Sequence, residues 1–220
     1  MMELAEPTVH QQLAVTFNYG GHGYELASTY MDTMGHVFKL DTLAFILSGI
    51  RAEDDGGVVL VPFAGEFVAN AANATNTFLL GDLTAEHLHQ LRFLFGLDPG
   101  PDQVIPSLGS ELAAMYCGTD VQGHHFLKLT GQVDGNGDGL LAVGDPRFSF
   151  MCTGPAMVRT QTVPVHSDLL TGSTLTAVLS VDIEELLAGI DLLATPSSDG
   201  NVLINAQLMD QLVMATTQTH

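Results

Sequence analysis

Leu43-Ala44-Phe45-Ile46-Leu47-Ser48-Gly49-Ile50 is the stretch on which the fold turns. An apolar run this short, bounded by turn residues, reads as a strand buried on both faces. Asp54-Asp55-Gly56-Gly57 follows as a turn signal, and Val58-Val59-Leu60-Val61 resumes the apolar character, so the two runs read as a hairpin. Upstream, Leu13 to Phe17 alternates apolar with small or polar residues at period two. Gly20-Gly21-His22-Gly23 then turns the chain, a second run lies around Tyr24 to Tyr30, and Val37 to Leu40 resumes after a break at Gly35. Downstream, Phe126 to Leu129, Phe148 to Phe150, Val158 to Val165 and Leu175 to Val181 read as strands. The fold class is mainly β.

Helical signals are few. Thr84 as N-cap, Glu86 and His87 in a first turn, and Leu88, Leu91 and Leu94 or Phe95 at helical spacing predict a helix, with a strand over Leu91 to Leu97 as the alternative for its end. The Pro-rich stretch from Asp98 through Pro106 reads as loop. A short helix is expected from Ser110 to Met115, a turn or two from Ile183 to Leu187, and a closing helix over 201–214. No internal repeat, low-complexity segment or linker divides the 220 residues, which reads as one domain.

The 25 acidic and 6 basic side chains give a formal charge of −19. So few Lys and Arg form no basic patch, which excludes nucleic acid and disfavours anionic membranes as partners. Disorder is excluded as well, because 46% of residues are hydrophobic and only 14% charged. No apolar run approaches the roughly 20 residues that span a bilayer. Met1 to Glu6 has neither a basic n-region nor an apolar h-region, so no signal peptide is read in the chain as it stands. That reading is compatible with a leader already removed.

The sharpest local signal is Asp134-Gly135-Asn136-Gly137-Asp138-Gly139-Leu140-Leu141-Ala142-Val143-Gly144-Asp145. Oxygen-bearing side chains at the first, third, fifth and twelfth positions of a twelve-residue loop, with Gly sixth, match what Ca²⁺ requires. Asp134, Asn136, Asp138 and Asp145 are the expected side-chain ligands, and Leu140 supplies a backbone carbonyl. Asp145 stands where the longer, bidentate Glu is usual, and Ala142 offers no side-chain oxygen; both weaken the site or leave water in the shell. Val133 leaves a strand rather than a helix, so the lone loop reads as a structural staple. The alternative is a Gly/Asn/Asp hairpin turn that binds nothing.

The nine His carry no motif. His87 and His89 are two apart and diverge on a helix, and the adjacent His124 and His125 face opposite sides of a strand. HExxH, Gly-x-Ser-x-Gly and phosphate-loop patterns are missing, and no acid/base couple stands out, so no enzymatic activity is expected.

Several segments, in order, resemble the MbnP-like copper-binding family of periplasmic or secreted proteins linked to methanobactin systems. Tyr30-Met-Asp-Thr-Met-Gly35 followed by Leu43 to Ile50 is similar to the family's Tyr, Gly turn and apolar strand. Leu91-Arg-Phe-Leu-Phe-Gly-Leu-Asp98 resembles its F-x-x-G-x-D strand. Met115-Tyr116-Cys117 followed by Gly123 to Gly131 resembles its M-Y-W … G-Y-x-x-x-K-x-E-G element, and Phe148 to Gly154 its F-x-x-H-x-G strand. The resemblance implies an antiparallel β-sandwich with one or two short helices. It spans 13–215, leaving an N-terminal extension over 1–12 and a tail over 216–220.

Copper-binding members hold Cu(I) with His residues beside a Trp oxidised to kynurenine. Here Cys117 stands in the Trp slot, Thr119 two beyond it, and Cys152 in the His slot, and the chain has no Trp, so kynurenine chemistry is excluded. Both cysteines fall where the family places its metal site, which implies that they are close in space. The expected outcome is a Cys117–Cys152 disulfide, worth roughly 3–4 kcal/mol for a loop of that length. The alternative is a Cu(I) site on Cys117 and Cys152 with Met115, Met151 or His124 nearby, since thiolates and thioethers suit soft Cu(I). The combined expectation is a non-enzymatic metal-binding protein of the periplasm, secreted fraction or cell surface. Its partners are a divalent cation and an extracellular or periplasmic protein or a further copy of itself.

Overall fold

The computed structural model describes residues 8–97, 104–118, 123–198 and 201–219. The Pro-rich residues Asp98 to Pro101, the opening Met1 to Glu6, Thr119 and His220 lie outside them. Among the described residues thirteen strands appear in chain order: β1 (Val9–Tyr19), β2 (His22–Gly23), β3 (Tyr30–Met31), β4 (Val37–Glu53), β5 (Val59–Pro62), β6 (Phe67–Asn70), β7 (Thr77–Leu83), β8 (His87–Phe95), β9 (His125–Val133), β10 (Arg147–Thr153), β11 (Arg159–Asp168), β12 (Thr174–Asp182) and β13 (Thr216–Thr219). Two α-helices, α1 (Ile183–Leu186) and α2 (Val202–Ala215), follow β12.

The opening apolar run lies inside β4, which is longer than expected because Val37 to Leu40 and Leu43 to Ile50 join without a break. Leu43 through Leu47 are all buried, as a strand covered on both faces requires. β4 is the spine of one sheet, ordered β10-β9-β4-β8-β11, with the short strands β3, β5 and β6 also pairing to it. The Asp54–Gly57 turn does return the chain into β5. The second sheet runs β13-β12-β1-β2, with β7 on β1. Among the described strands every pairing is antiparallel except β1 with β12, which run parallel over His10 to Asn18.

The core lies between the sheets: Phe17 of β1 meets Phe45 of β4 edge-on at 6.1 Å, and Phe45 in turn meets Phe95 of β8 at 5.5 Å. Such edge-to-face pairs add about 0.5–1.5 kcal/mol each beyond burial. Helix α2, capped by the Asn201 side chain, packs over β10, β11 and β12 and buries Leu208, Met209, Leu212 and Ala215. The expected short helix before Met115 is a 3-10 turn, Glu111–Met115, capped by Ser110.

One element differs in kind. The helix expected after Thr84 is strand β8, paired to β4 on one side and β11 on the other. Leu91, Phe93 and Phe95 are buried at period two, and that alternation, satisfied by two neighbouring strands, overrides the helical spacing of Leu88, Leu91 and Leu94. A consequence is that His87 and His89 share a strand face instead of diverging.

Candidate functional site

The twelve-residue loop is the connection of the β9–β10 hairpin, in which Gln132 pairs with Arg147. Its neck is fastened twice: Val133 N–H donates to the Pro146 carbonyl at 3.0 Å and Asp134 N–H to the Val37 carbonyl at 2.8 Å. Asp134 is buried there, while Asn136, Asp138 and Leu140 beyond it are exposed.

The backbone folds around carboxylates. Asp134 Oδ1 accepts from the N–H groups of Asn136 and Gly137 at 3.1 and 2.8 Å, and Oδ2 from Gly139 at 2.7 Å. Gly139 reaches that position with φ +81°, which a side chain would resist. Asp138 Oδ1 accepts from Leu140 N–H at 2.9 Å, Asn136 Nδ2 donates to Asp138 Oδ2 at 3.1 Å, and Asp138 N–H donates to Asn136 Oδ1 at 2.9 Å. Asp145 closes the loop by accepting from Ala142 N–H at 2.6 Å and Gly135 N–H at 3.3 Å. Burial works to raise the Asp134 pKa, but the N–H groups of Gly139, Gly137, Asn136 and Asp138 outweigh it and hold the carboxyl below its ordinary value. Asp134 is therefore a carboxylate at neutral pH.

The residue types suit a hard cation, but the carboxylates of Asp134, Asp138 and Asp145 are not gathered into one cluster of ligating atoms. The donor set is all oxygen, and the carboxylate oxygens have lone pairs beyond those already used. Leu140 exposes its side chain, as a residue contributing only its carbonyl can afford to do.

The cysteine region corrects the sequence reading. No disulfide joins Cys117 to Cys152. Cys152 stands in one buried row with Leu127 of β9 and Phe45 of β4, and its thiol faces Asn205 of α2 at 3.5 Å from Oδ1. Cys117 follows the 3-10 turn and places Sγ 3.5 Å from His125 Nδ1. A register shift between Cys152 and Thr153 sets His125 opposite Thr153, on the other face of the sheet from Cys152. The histidine at Cys117 is thus His125, whereas His124 is buried and lies 5.2 Å from the Tyr116 ring. Burial pushes the Cys152 thiol up to about 12, only partly offset by Arg159, so it is protonated in the metal-free protein. Met115 is buried, and Met151 lies opposite Lys128 on the sheet face away from Cys152. The expected copper set does not assemble around the two sulfurs.

No helix among the described residues is long and apolar enough to cross a membrane. A family model described as MbnP matches residues 8–205. Among solved structures, MbnP from Methylosinus trichosporium shares the fold with a TM-score of 0.56 at 12% identity, over 86% of this chain and 78% of that one. No curated protein matches by sequence.

Proposed function

The chain belongs to the MbnP family, and from that premise we propose an exported, non-enzymatic metal-binding protein whose β9–β10 loop holds one structural Ca²⁺. The observation that carries this reading is the Asp134 carboxylate, ionised and fixed by three backbone N–H groups at the neck of the loop. A cation there would draw together Asp134, Asn136, Asp138, the Leu140 carbonyl and Asp145, relieving the repulsion of three carboxylates and tying the ends of two strands of the larger sheet. Bound calcium would reduce the net charge from −19 to about −17, since the ion contributes two positive charges. The remaining acidic coat disfavours close packing of copies unless further cations or neutral faces intervene.

The reading is tested by thermal melts of EGTA-treated protein with and without CaCl₂. At about a hundred times Kd a ligand adds roughly 2.7 kcal/mol to the native state, which raises Tm by several degrees in a domain of this size. A Tm indifferent to calcium overturns the loop assignment. One equivalent of copper retained through purification, with no response to calcium, replaces it with a copper-handling role.

A further inference from the structure

Away from the calcium loop, β8 and β11 bring three imidazoles together. His87 and His89 project from one face of β8. Opposite them β11 carries a bulge between Pro164 and Ser167, and within it His166 takes φ +45°. The extra residue re-aims His166, so that its ring meets His89 edge-on with centroids 4.2 Å apart. The ligating atoms of His87, His89 and His166 all lie within 4.8 Å of one another. A non-glycine residue in the left-handed region is a strained choice that persists where the surroundings or a function demand it.

Carboxylates sit behind two of the rings. Asp168, at the end of β11, places Oδ1 2.9 Å from His87 Nδ1. Asp55, in the β4–β5 turn, places Oδ1 2.6 Å from His89 Nδ1, a close ion-pair contact rather than an aligned hydrogen bond. At His87 the hydrogen bond to Asp168 favours the tautomer whose lone pair is on Nε2, as carboxylate–histidine pairs do around bound metals. His87 and His89 are half-buried and His166 is exposed, so an ion can enter from solvent.

We propose that His87, His89 and His166 form a second metal site, selective for a borderline divalent transition cation such as Zn²⁺. Three neutral imidazoles suit such an ion and not the hard Ca²⁺, and they leave a fourth position for water or an incoming ligand. The site goes beyond the calcium reading and shares no residue with it. It is also separate from Cys117 and Cys152.

The test is calorimetric titration of EDTA-stripped protein with Zn²⁺ in the presence of excess CaCl₂, with Co²⁺ as an absorbing stand-in. Wild type should take up one equivalent and give the ligand-field bands of nitrogen-coordinated Co²⁺. His89→Gln and His166→Asn should each weaken Zn²⁺ by more than the roughly 10–100-fold that loss of an outer-shell partner causes, and Asp168→Asn should fall within that range. Asn tolerates the left-handed backbone, so His166→Asn removes the imidazole without disturbing the bulge, which an unchanged Tm checks. Asp134→Asn should leave Zn²⁺ uptake intact, which separates this site from the calcium loop. Absence of Zn²⁺ binding in wild type, or binding unchanged in His89→Gln and His166→Asn, overturns the proposal.

Discussion

The β9–β10 loop and the β8–β11 histidine cluster are both places where side chains could gather on a cation, yet they are built in opposite ways. The loop takes its oxygen donors from one unbroken stretch, 134–145, and organises them with its own backbone N–H groups. The cluster takes two residues from one strand and one from another, and exists only because a bulge shifts the register. A local device can be read from spacing. A device made by strand pairing cannot, because a single register step moves every side chain to the other face.

The largest effect expected on this comparison is at the loop's neck. Asp134→Ala should abolish the calcium response in melts while leaving Zn²⁺ uptake at the histidines, because it removes the acceptor of three backbone N–H groups. Loss of both responses with a retained fold would mean that the two regions are not independent.

Gly135→Ala attacks the same loop without removing an oxygen. A Cβ there would lie 2.5 Å from Pro146 Cδ, so the neck must open, at a cost of about 1–3 kcal/mol typical of overpacking. Denaturant unfolding should show it, and an unchanged midpoint would contradict the close approach.

Acid should weaken the loop by a route that does not touch sequence. The Asp134 pKa is depressed from 3.8, so its stabilising contribution is complete above the unfolded value and is lost as pH falls through the lower, folded one. Acid-induced unfolding of Asp134→Asn should therefore lack that component, as fluorescence against pH would reveal.

On the histidine side, His166→Gly should raise the stability of metal-free protein by about 1 kcal/mol, since glycine adopts the left-handed backbone without steric penalty. It should at the same time forfeit Zn²⁺. A decrease in stability would show that the bulge is not strained.

The smallest effect is a predicted zero: a reductant should leave Tm unchanged, because no disulfide joins Cys117 and Cys152. A drop of several degrees on reduction would restore the bond expected from the family slots.

Most of the sandwich was legible in the sequence, from β4 outward, since alternation and Gly punctuation mark strands directly. The closing helix and the Ser110-capped turn were legible for the same local reason. β8 was not: Thr84 and leucines three apart mimic a helix start, and only pairing with β4 and β11 decides against it. The 134–145 segment was legible as a loop, and it is the connection between β9 and β10; that it holds calcium is our proposal. The histidine cluster was hidden by that one misread strand, which made His87 and His89 diverge. The cysteines are not joined: Cys117 meets His125 while Cys152 faces Asn205 of α2, so slots aligned in a family need not pair.

We propose that the 134–145 loop binds calcium as a hard-cation site of its own. Isothermal titration of CaCl₂ into EGTA-stripped wild type and Asp134→Ala tests it most directly. The account predicts one equivalent of Ca²⁺ bound by wild type and none by the variant. Equal heats for the two proteins, or no binding by wild type, would contradict it.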